Sequence, residues 1–465
     1  MAGSSTAALK FAVRRRPAVL VAPASPTPHE LKPLSDIDDQ EVLRAHIALI
    51  LFYRHDPSMG ARDPAPVIRG SVARALVHYY PLAGRLRELG GRKLAVDCTG
   101  EGVLFTEADA DVRLDHLGDP LLPPFPCIEE LVFDVPGSSA VVDAPLLLVQ
   151  VTRLACGGFV LAVRENHSMA DAPGLVQFVA AVAELARGAE APAVRPVWRR
   201  ELLRARDPPW RPCFAHREYD DRGAQDTTTP PLDDDDAVHR CFFFAPRDVD
   251  ALRGLLAPGR LRASATTFDL LTGCLWKCRT EALAPDAGEE MRVICVVNAR
   301  RGGGIPSGYY GNAFALPVAI STAGELRASP LSYAVGLVKR AKAEVDMEYM
   351  RSVADLMAHR GRPCMALVNT FVLSDLTKAA RVDLDFGWGK PAYAGPALGT
   401  VTIPGTGTAF SFFVPFTDAS GEEGIVVPMC LPRVAMSRFE EELVKLLQRP
   451  PIDVVAAQQK PRSAL

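Results

Sequence analysis

The sequence predicts an α/β protein of more than one domain, on three observations. The chain is 465 residues long, short apolar strand-like runs alternate with helix-like ones, and a proline-rich stretch interrupts the pattern in mid-chain. At about 150 residues per domain this length gives two or three domains. Hydrophobic residues at 48% and charged residues at 23% are ordinary globular values and exclude disorder over most of the chain. Lys and Arg total 52 against 55 Asp and Glu, a formal charge of −3. Nucleic acid or an anionic membrane as main partner would instead favour a clustered basic excess. The most apolar region, 140–163, is broken by Asp143 and Arg153, so it falls short of the roughly 18 uncharged residues of a membrane span.

The elements follow in chain order. Leu9 to Arg14 alternates apolar and polar residues as a half-buried strand does, and Pro17 to Val21 continues extended. The basic first sixteen residues therefore read as strand rather than as a transit peptide. Ser35 caps a helix expected over the run from Val42 to Leu49, with Asp36, Asp38, Asp39 and Glu41 near its positive end. A second helical pattern passes through Val67, Val72, Leu76 and Val77 and stops at Pro81. Leu94 to Val96 and Val103 to Phe105 are strand-like, and Pro123 to Pro126 forms a connection. Phe159 to Val163 reads as a buried strand and Gly174 to Leu185 as the helix after it. Between Gly188 and Ala237 come Pro192, Pro196, Pro208, Pro209, Pro212, Pro230 and Pro231, then the acidic run Asp233 to Asp236. Such a segment cannot easily build a packed core, so it reads as an extended crossover. Beyond it, Cys241 to Phe244 and Val293 to Val297 are strand-like, with Thr267 to Arg279 and Phe439 to Leu447 helical. The resulting division is 1–188, a crossover 189–237, and 238–465. The ten cysteines include no C-x-x-C pair; Cys274 and Cys278 lie closest, and all read as thiols rather than as zinc ligands or disulfides.

Three segments can carry chemistry. In Glu165-Asn166-His167-Ser168-Met169-Ala170-Asp171-Ala172-Pro173-Gly174, His167 stands where a strand ends and a helix begins, with an ordinary pKa near 6.5 that suits proton transfer. The pattern alone leaves open a structural histidine, a general base, or a metal pair with Asp171. Pro173 and Gly174 and the lack of a third ligand speak against the metal, and Ser168 lacks the G-x-S-x-G elbow of a nucleophile. The second segment is Asp385-Phe386-Gly387-Trp388-Gly389, followed by Gly395, Gly399 and Gly405. Aromatic residues between glycines mark close backbone packing, and the other loops of a kinase are missing. The third, Arg300-Arg301-Gly302-Gly303-Gly304, lacks the Gly-Lys-Ser/Thr of a P-loop.

His167-Ser168-Met169-Ala170-Asp171 together with Asp385-Phe386-Gly387-Trp388-Gly389, in this order in a chain of this length, resemble the H-x-x-x-D and D-F-G-W-G motifs of the plant BAHD acyltransferases. Leu34 to Gln40, Tyr79 to Arg85, Asn298-Ala299-Arg300 and Gly308 to Asn312 look like segments of the same family, and Glu422 to Pro428 is similar to its benzyl alcohol O-benzoyltransferase branch. The resemblance implies two chloramphenicol-acetyltransferase-like α/β domains with a channel between them. It implies His167 as the base that activates an alcohol for direct attack on an acyl-CoA thioester, with benzoyl-CoA and a small alcohol such as benzyl alcohol as expected substrates. Hydroxycinnamoyl or aliphatic donors and a non-catalytic acyl-CoA-binding role are the alternatives. It also implies an ion pair between Asp171 and Arg300 that supports the catalytic loop, and a structural role for Asp385, Gly387, Trp388 and Gly389. Ser264, Thr266 and Thr267 are the expected CoA contacts. Acyl-CoA is then a co-substrate, with no permanently bound cofactor or metal, and the chain is expected to be a monomer. Some relatives place an oxyanion donor in a Thr-Ser-Trp segment where this chain has Val372-Leu373-Ser374-Asp375. The terminal Ser463-Ala464-Leu465 resembles a peroxisomal address without its basic residue, so peroxisome and cytoplasm are both expected locations.

Overall fold

The computed structural model describes residues 9–135, 140–219, 236–403, 406–418, 420–448 and 452–453. Its chain forms two compact units. The first comprises Met1–Arg204, Ile305–Asn312 and Arg381–Leu398; the second comprises Ala205–Gly304, Ala313–Ala380 and Gly399–Leu465.

The first unit is built on a seven-stranded sheet. Its order is Val13–Arg15, Val103–Ala110, Leu147–Leu154, Phe159–Asn166, His46–Tyr53 and Tyr393–Pro396, with Val19–Val21 also on Val103–Ala110. Val103–Ala110 and Leu147–Leu154 run parallel, and the other neighbours are antiparallel. Leu147–Leu154 and Phe159–Asn166 are buried along nearly their whole length, which is why they read as continuous apolar runs rather than alternations. Helices Pro64–His78 and Ala172–Ala186 pack on each other. Each starts in the same way. An aspartate accepts a backbone N–H of the first turn, Asp63 from Ala65 at 3.2 Å and Asp171 from Gly174 at 3.0 Å, and a proline sits in that turn where its missing N–H costs nothing.

The helix expected from Val42 to Leu49 is not formed. Glu41–Leu43 makes one 3₁₀ turn and His46–Tyr53 is a strand, paired on one side with Phe159–Asn166 and on the other with Tyr393–Pro396. A short apolar run carries no period that separates a buried helix from a central strand; here two partner strands decide it. The acidic residues before it belong to a turn instead, in which Ser35 N–H donates to Asp38 Oδ2 at 3.1 Å and Asp38 N–H to Ser35 Oγ at 3.0 Å.

The second unit carries an eight-stranded sheet in the order Val318–Thr322, Glu290–Cys295, Thr370–Asp375, Thr408–Thr417, Glu423–Pro432, Ala237–Phe244 and Ile452–Asp453, with Thr400–Ile403 on Thr408–Thr417. Helix Thr267–Leu283 is buried along its length, with Leu331–Ala343 and Arg433–Leu447 packed against it.

The crossover differs from its expectation. Residues 205–219 are fastened to helix Met347–Arg360 of the second unit. The Arg206 backbone N–H reaches Asp355 Oδ1 at 2.9 Å and its Nε reaches Oδ2 at 2.8 Å, with the guanidinium 4.0 Å from the centre of the Trp210 ring. Further along, His216 Nε2 lies 2.7 Å from Ser352 Oγ and Nδ1 3.1 Å from Glu218, whose carboxylate also accepts from Tyr349 Oη at 2.7 Å. Ser352, His216 and Glu218 have the order of a hydrolase triad, yet all three are buried. His216 Nδ1 faces the Glu218 carboxylate, so in the neutral ring Nε2 accepts the Ser352 hydroxyl proton, while Ser352 Oγ accepts the Cys213 N–H at 3.1 Å. This is a latch, not a nucleophile. Residues 220–235, with most of the acidic run, and Ser463-Ala464-Leu465 lie outside the described residues.

Replacing His216 by Ala removes one hydrogen bond from each of two buried partners, Glu218 and Ser352, which keep their bonds to Tyr349 and to the Cys213 N–H; each lost bond costs about 0.5–1.5 kcal/mol. His216→Ala should therefore lower the urea midpoint without changing the m-value, as read by equilibrium unfolding.

Candidate active site around His167

His167 follows the last residue of strand Phe159–Asn166 and precedes helix Ala172–Ala186. Its backbone extends the sheet by one bond, N–H to Ala45 C=O at 2.8 Å, and its carbonyl accepts Asn312 Nδ2 at 2.8 Å. The chain then turns back, with Met169 N–H on Asn166 C=O at 2.9 Å. One contact of the ring is Nδ1 to Ala170 C=O at 3.0 Å, and Asn312 also hydrogen-bonds it. A carbonyl can only accept, so Nδ1 carries the proton and Nε2 carries the lone pair. Burial holds the pKa of the ring below the ordinary 6.5, against the opposing pull of its backbone hydrogen bonds and of the Asp171 charge. A neutral imidazole with its basic nitrogen fixed in direction is the form a general base requires.

The loop is held from behind by a buried ion pair. Arg200 Nη1 lies 2.6 Å from Asp38 Oδ1, both side chains are inaccessible to solvent, and Nη2 donates to Met169 C=O at 2.7 Å. Asp38 Oδ1 also accepts Asn312 N–H and Nδ2 at 2.9 and 3.0 Å, so the residue that holds the His167 carbonyl is itself held by this pair. The guanidinium sits 4.4, 5.5 and 5.2 Å from the ring centres of Trp198, Tyr309 and Tyr310. Close approach here demands glycine at two positions. A side chain at Gly311 would collide with Arg200 Nη1, and one at Gly174 with the Tyr310 carbonyl.

Each residue expected at the site has a definite place. Ser168 is fully buried and its Oγ donates to Leu43 C=O at 3.1 Å, so it holds the turn and attacks nothing. Asp171 belongs to the first unit and caps its helix through Gly174. Arg300 belongs to the second, in the 3₁₀ turn Ala299–Gly302, with its backbone N–H on Asn298 Oδ1 at 2.9 Å. Asp385-Phe386-Gly387-Trp388-Gly389, although late in the chain, lies in the first unit just before strand Tyr393–Pro396. Asp385 Oδ1 accepts Gly387 N–H at 2.6 Å, and Gly387 and Gly389 adopt φ of 105° and 80°, which a side chain would strain. Phe386 meets the Tyr53 ring edge-on at 5.9 Å and Trp388 meets Phe159 at 5.6 Å, while Tyr53 and Phe159 stack at 4.4 Å. Tyr53 Oη donates to Leu384 C=O at 2.6 Å. The motif thus packs on one end of the strand pair whose opposite end leads to His167.

Ser264, Thr266 and Thr267 stand at the start of helix Thr267–Leu283 in the second unit. Ser264 Oγ donates to Arg260 C=O at 2.6 Å. Thr266 Oγ1 accepts Asp269 N–H at 3.2 Å while Asp269 Oδ2 accepts Thr266 N–H at 2.9 Å, a capping box that leaves the Thr266 hydroxyl proton as a donor. Beside them is a hollow of about 700 Å³ lined by Arg253, Pro258, Gly259, Arg262, Ala263 and Ala265. Among the described residues, no group of three or more His, Cys, Asp and Glu side chains is placed to hold a metal ion, and no helix is long and apolar enough to cross a membrane.

Arg200 is the site residue that sequence reasoning missed. In Trp198-Arg199-Arg200-Glu201 it has the same local signature as Arg199, which is exposed and pairs with Glu201; only the tertiary structure distinguishes them.

The sequence model of the Transferase family, that of the BAHD acyltransferases, matches residues 11–446. The chain belongs to this family. Benzyl alcohol O-benzoyltransferase of Nicotiana tabacum is 56% identical over 451 residues, 96% of each chain. Alcohol acyl transferase 1 (allele GSa) of Malus domestica is 51% identical over 448 residues, 95% of each chain. The crystal structure of vinorine synthase, 23% identical, aligns with a TM-score of 0.67 over 96% of this chain and 100% of that one, a likeness of fold. The protein is an acyl-CoA-dependent alcohol O-acyltransferase of two-domain α/β architecture.

Breaking a buried ion pair by removing one partner costs about 3–5 kcal/mol, because the other charge is left uncompensated. Arg200→Met should destabilise by that order, and Asp38→Leu/Arg200→Met should recover part of the loss in a double-mutant cycle read by chemical unfolding. Ser168→Ala should keep turnover and lose about 1 kcal/mol of stability; a loss of turnover comparable to that of His167→Ala would contradict the assignment of Ser168 to the turn.

Proposed function

We propose that the protein transfers benzoyl from benzoyl-CoA to a small alcohol such as benzyl alcohol, with His167 as the general base. The observation that carries the mechanism is the tautomer of the His167 ring, with Nδ1–H on the Ala170 carbonyl, which makes Nε2 the basic nitrogen. An alcohol is a weak nucleophile until its proton leaves. As its oxygen attacks the thioester carbonyl carbon, Nε2 takes the proton and the carbonyl electrons move onto oxygen. The tetrahedral intermediate then collapses, the C–S bond breaks, and the departing CoA sulfur takes the proton from the imidazolium. Ester and CoA thiol are formed, and His167 returns neutral.

In this reading Asp171 and Arg300 form an ion pair that supports the catalytic loop, and Asp385 to Gly389 supports the first unit. Ser264, Thr266 and Thr267 contact CoA, where the Thr266 hydroxyl proton and the basic Arg253 and Arg262 beside the neighbouring hollow suit phosphate oxygens. The choice of benzoyl rests on the 56% identity to the Nicotiana enzyme of that name. The second reading, an aliphatic acyl donor, rests on the 51% identity to the Malus alcohol acyl transferase.

The test is ester formation followed by mass spectrometry, with CoA-thiol release in parallel, for benzoyl-CoA and aliphatic acyl-CoAs with benzyl alcohol. Benzyl benzoate should dominate, and His167→Ala should lose most of the rate, a general base contributing about 10²–10⁴-fold. Preference for an aliphatic donor would favour the second reading. The pH profile provides a further check. A base with a lowered pKa keeps its lone pair as the medium becomes more acidic, so the acid limb of kcat/KM should fall below pH 6.5.

A further inference from the structure

Glu165 is the penultimate residue of the strand that leads into His167, with Ile47 and Leu147 opposite it on the two neighbouring strands. It is 1% exposed, and neither of its carboxyl oxygens has a hydrogen-bond partner among the described residues. Two charged groups act on it, the Asp171 carboxylate at the start of helix Ala172–Ala186 and the Arg200 guanidinium. The flanking strands offer only apolar side chains at this level. Arg200 has already committed Nη1 to Asp38 and Nη2 to the Met169 carbonyl; Nε is its one nitrogen without a hydrogen bond.

A charged carboxylate in this position would have no donor, would face a like charge on Asp171, and would compete with Asp38 for Arg200. We propose that Glu165 is a positioning residue that works as a neutral carboxylic acid: while it keeps its proton, Arg200 stays on Asp38 and Met169 and the His167 loop keeps its shape. When it ionises, it draws Arg200 toward itself, repels Asp171, and loosens the loop that aims the base. Burial, with Asp171 adding to it, pushes the pKa of Glu165 well above the carboxylate range, and Arg200 opposes the shift without cancelling it. The enzyme therefore contains an alkaline limit set behind its base rather than by the base. The loop-positioning consequence rests on His167 as the proposed base; the protonation of Glu165 does not.

The experiment compares wild type with Glu165→Gln, which keeps shape and neutrality and cannot ionise. A carboxyl whose folded pKa lies above its unfolded one adds stability that is complete below the unfolded value, near 4.5, and is lost as pH rises toward the folded value. The stability of Glu165→Gln relative to wild type, from unfolding midpoints, should therefore increase steadily with pH above about 4.5. Infrared difference spectra at neutral pH should contain a protonated-carboxyl stretch in wild type that the variant lacks. In kcat measured against pH at saturating substrates, wild type should lose activity on the alkaline side and Glu165→Gln should lose that limb, with KM little changed. Parallel stability curves, or no protonated-carboxyl band, would overturn the neutral acid. An alkaline limb that the variant shares, or a wild-type kcat that stays flat until unfolding, would overturn the positioning role. Undiminished turnover in His167→Ala would remove the base and leave the spectroscopic and stability results to decide Glu165 separately.

Discussion

The His167 loop depends on one buried interaction, the Arg200–Asp38 ion pair. Two charges without solvent would be costly if either stood alone, and here each has further partners that make the geometry unique. Arg200 also holds the Met169 carbonyl, and Asp38 also holds both nitrogens of Asn312. Since Asn312 donates to the His167 carbonyl and Met169 lies two residues beyond His167, the pair grips the turn at and beyond His167. A hydrophobic replacement of similar volume can match such a pair in stability, but it offers no carbonyl donor and fixes no backbone. What the charges add here is direction, through their further bonds to Met169 and Asn312.

Direction matters because His167 does its proposed work with one nitrogen. A ring free to rotate would present Nδ1 and Nε2 in turn and lose the alignment that proton removal requires. The Ala170 carbonyl selects the tautomer, the ladder bond to Ala45 fixes the start of the turn, and the Asp171 cap fixes the start of the next helix. None of these is a surface contact that salt or a side-chain rearrangement could easily undo. The aromatic group of Tyr53, Phe159, Phe386 and Trp388 has the complementary task at the other end of the same strands, where stacked and edge-on rings resist sliding of one strand past the other.

How much of this was legible in the sequence varies with the range of the interaction involved. Helix Ala172–Ala186 and strand Phe159–Asn166 were readable because their signals are local apolar runs on either side of a junction; the Asp171 cap, seen only in the structure, starts the helix two residues before the expected Gly174. The stretch from Val42 was misread as a helix because its burial comes from partners distant in sequence, Phe159–Asn166 and Tyr393–Pro396, which no local period encodes. His167 was legible as a candidate through its strand-to-helix position, and the pairing of its motif with Asp385 to Gly389 identified the family. Arg200 was not, since burial alone separates it from Arg199. The crossover was half legible. Its prolines signal a segment without long helices or strands, but the buried His216–Ser352–Glu218 latch depends on a helix more than a hundred residues away.

Glu165 illustrates the limit of reading charge from sequence. In the one-dimensional pattern it is an acid two residues before a histidine, the arrangement that most readily suggests a carboxylate partner for an imidazolium. The fold places it instead opposite Ile47 and Leu147, without a donor, beside a second carboxylate and near a guanidinium already engaged twice. In those surroundings the proton is cheaper to keep than the charge is to bury. A carboxyl group that stays neutral leaves Arg200 to Asp38, and so, as proposed, the strand that leads to His167 also carries the group whose protonation keeps its turn in place.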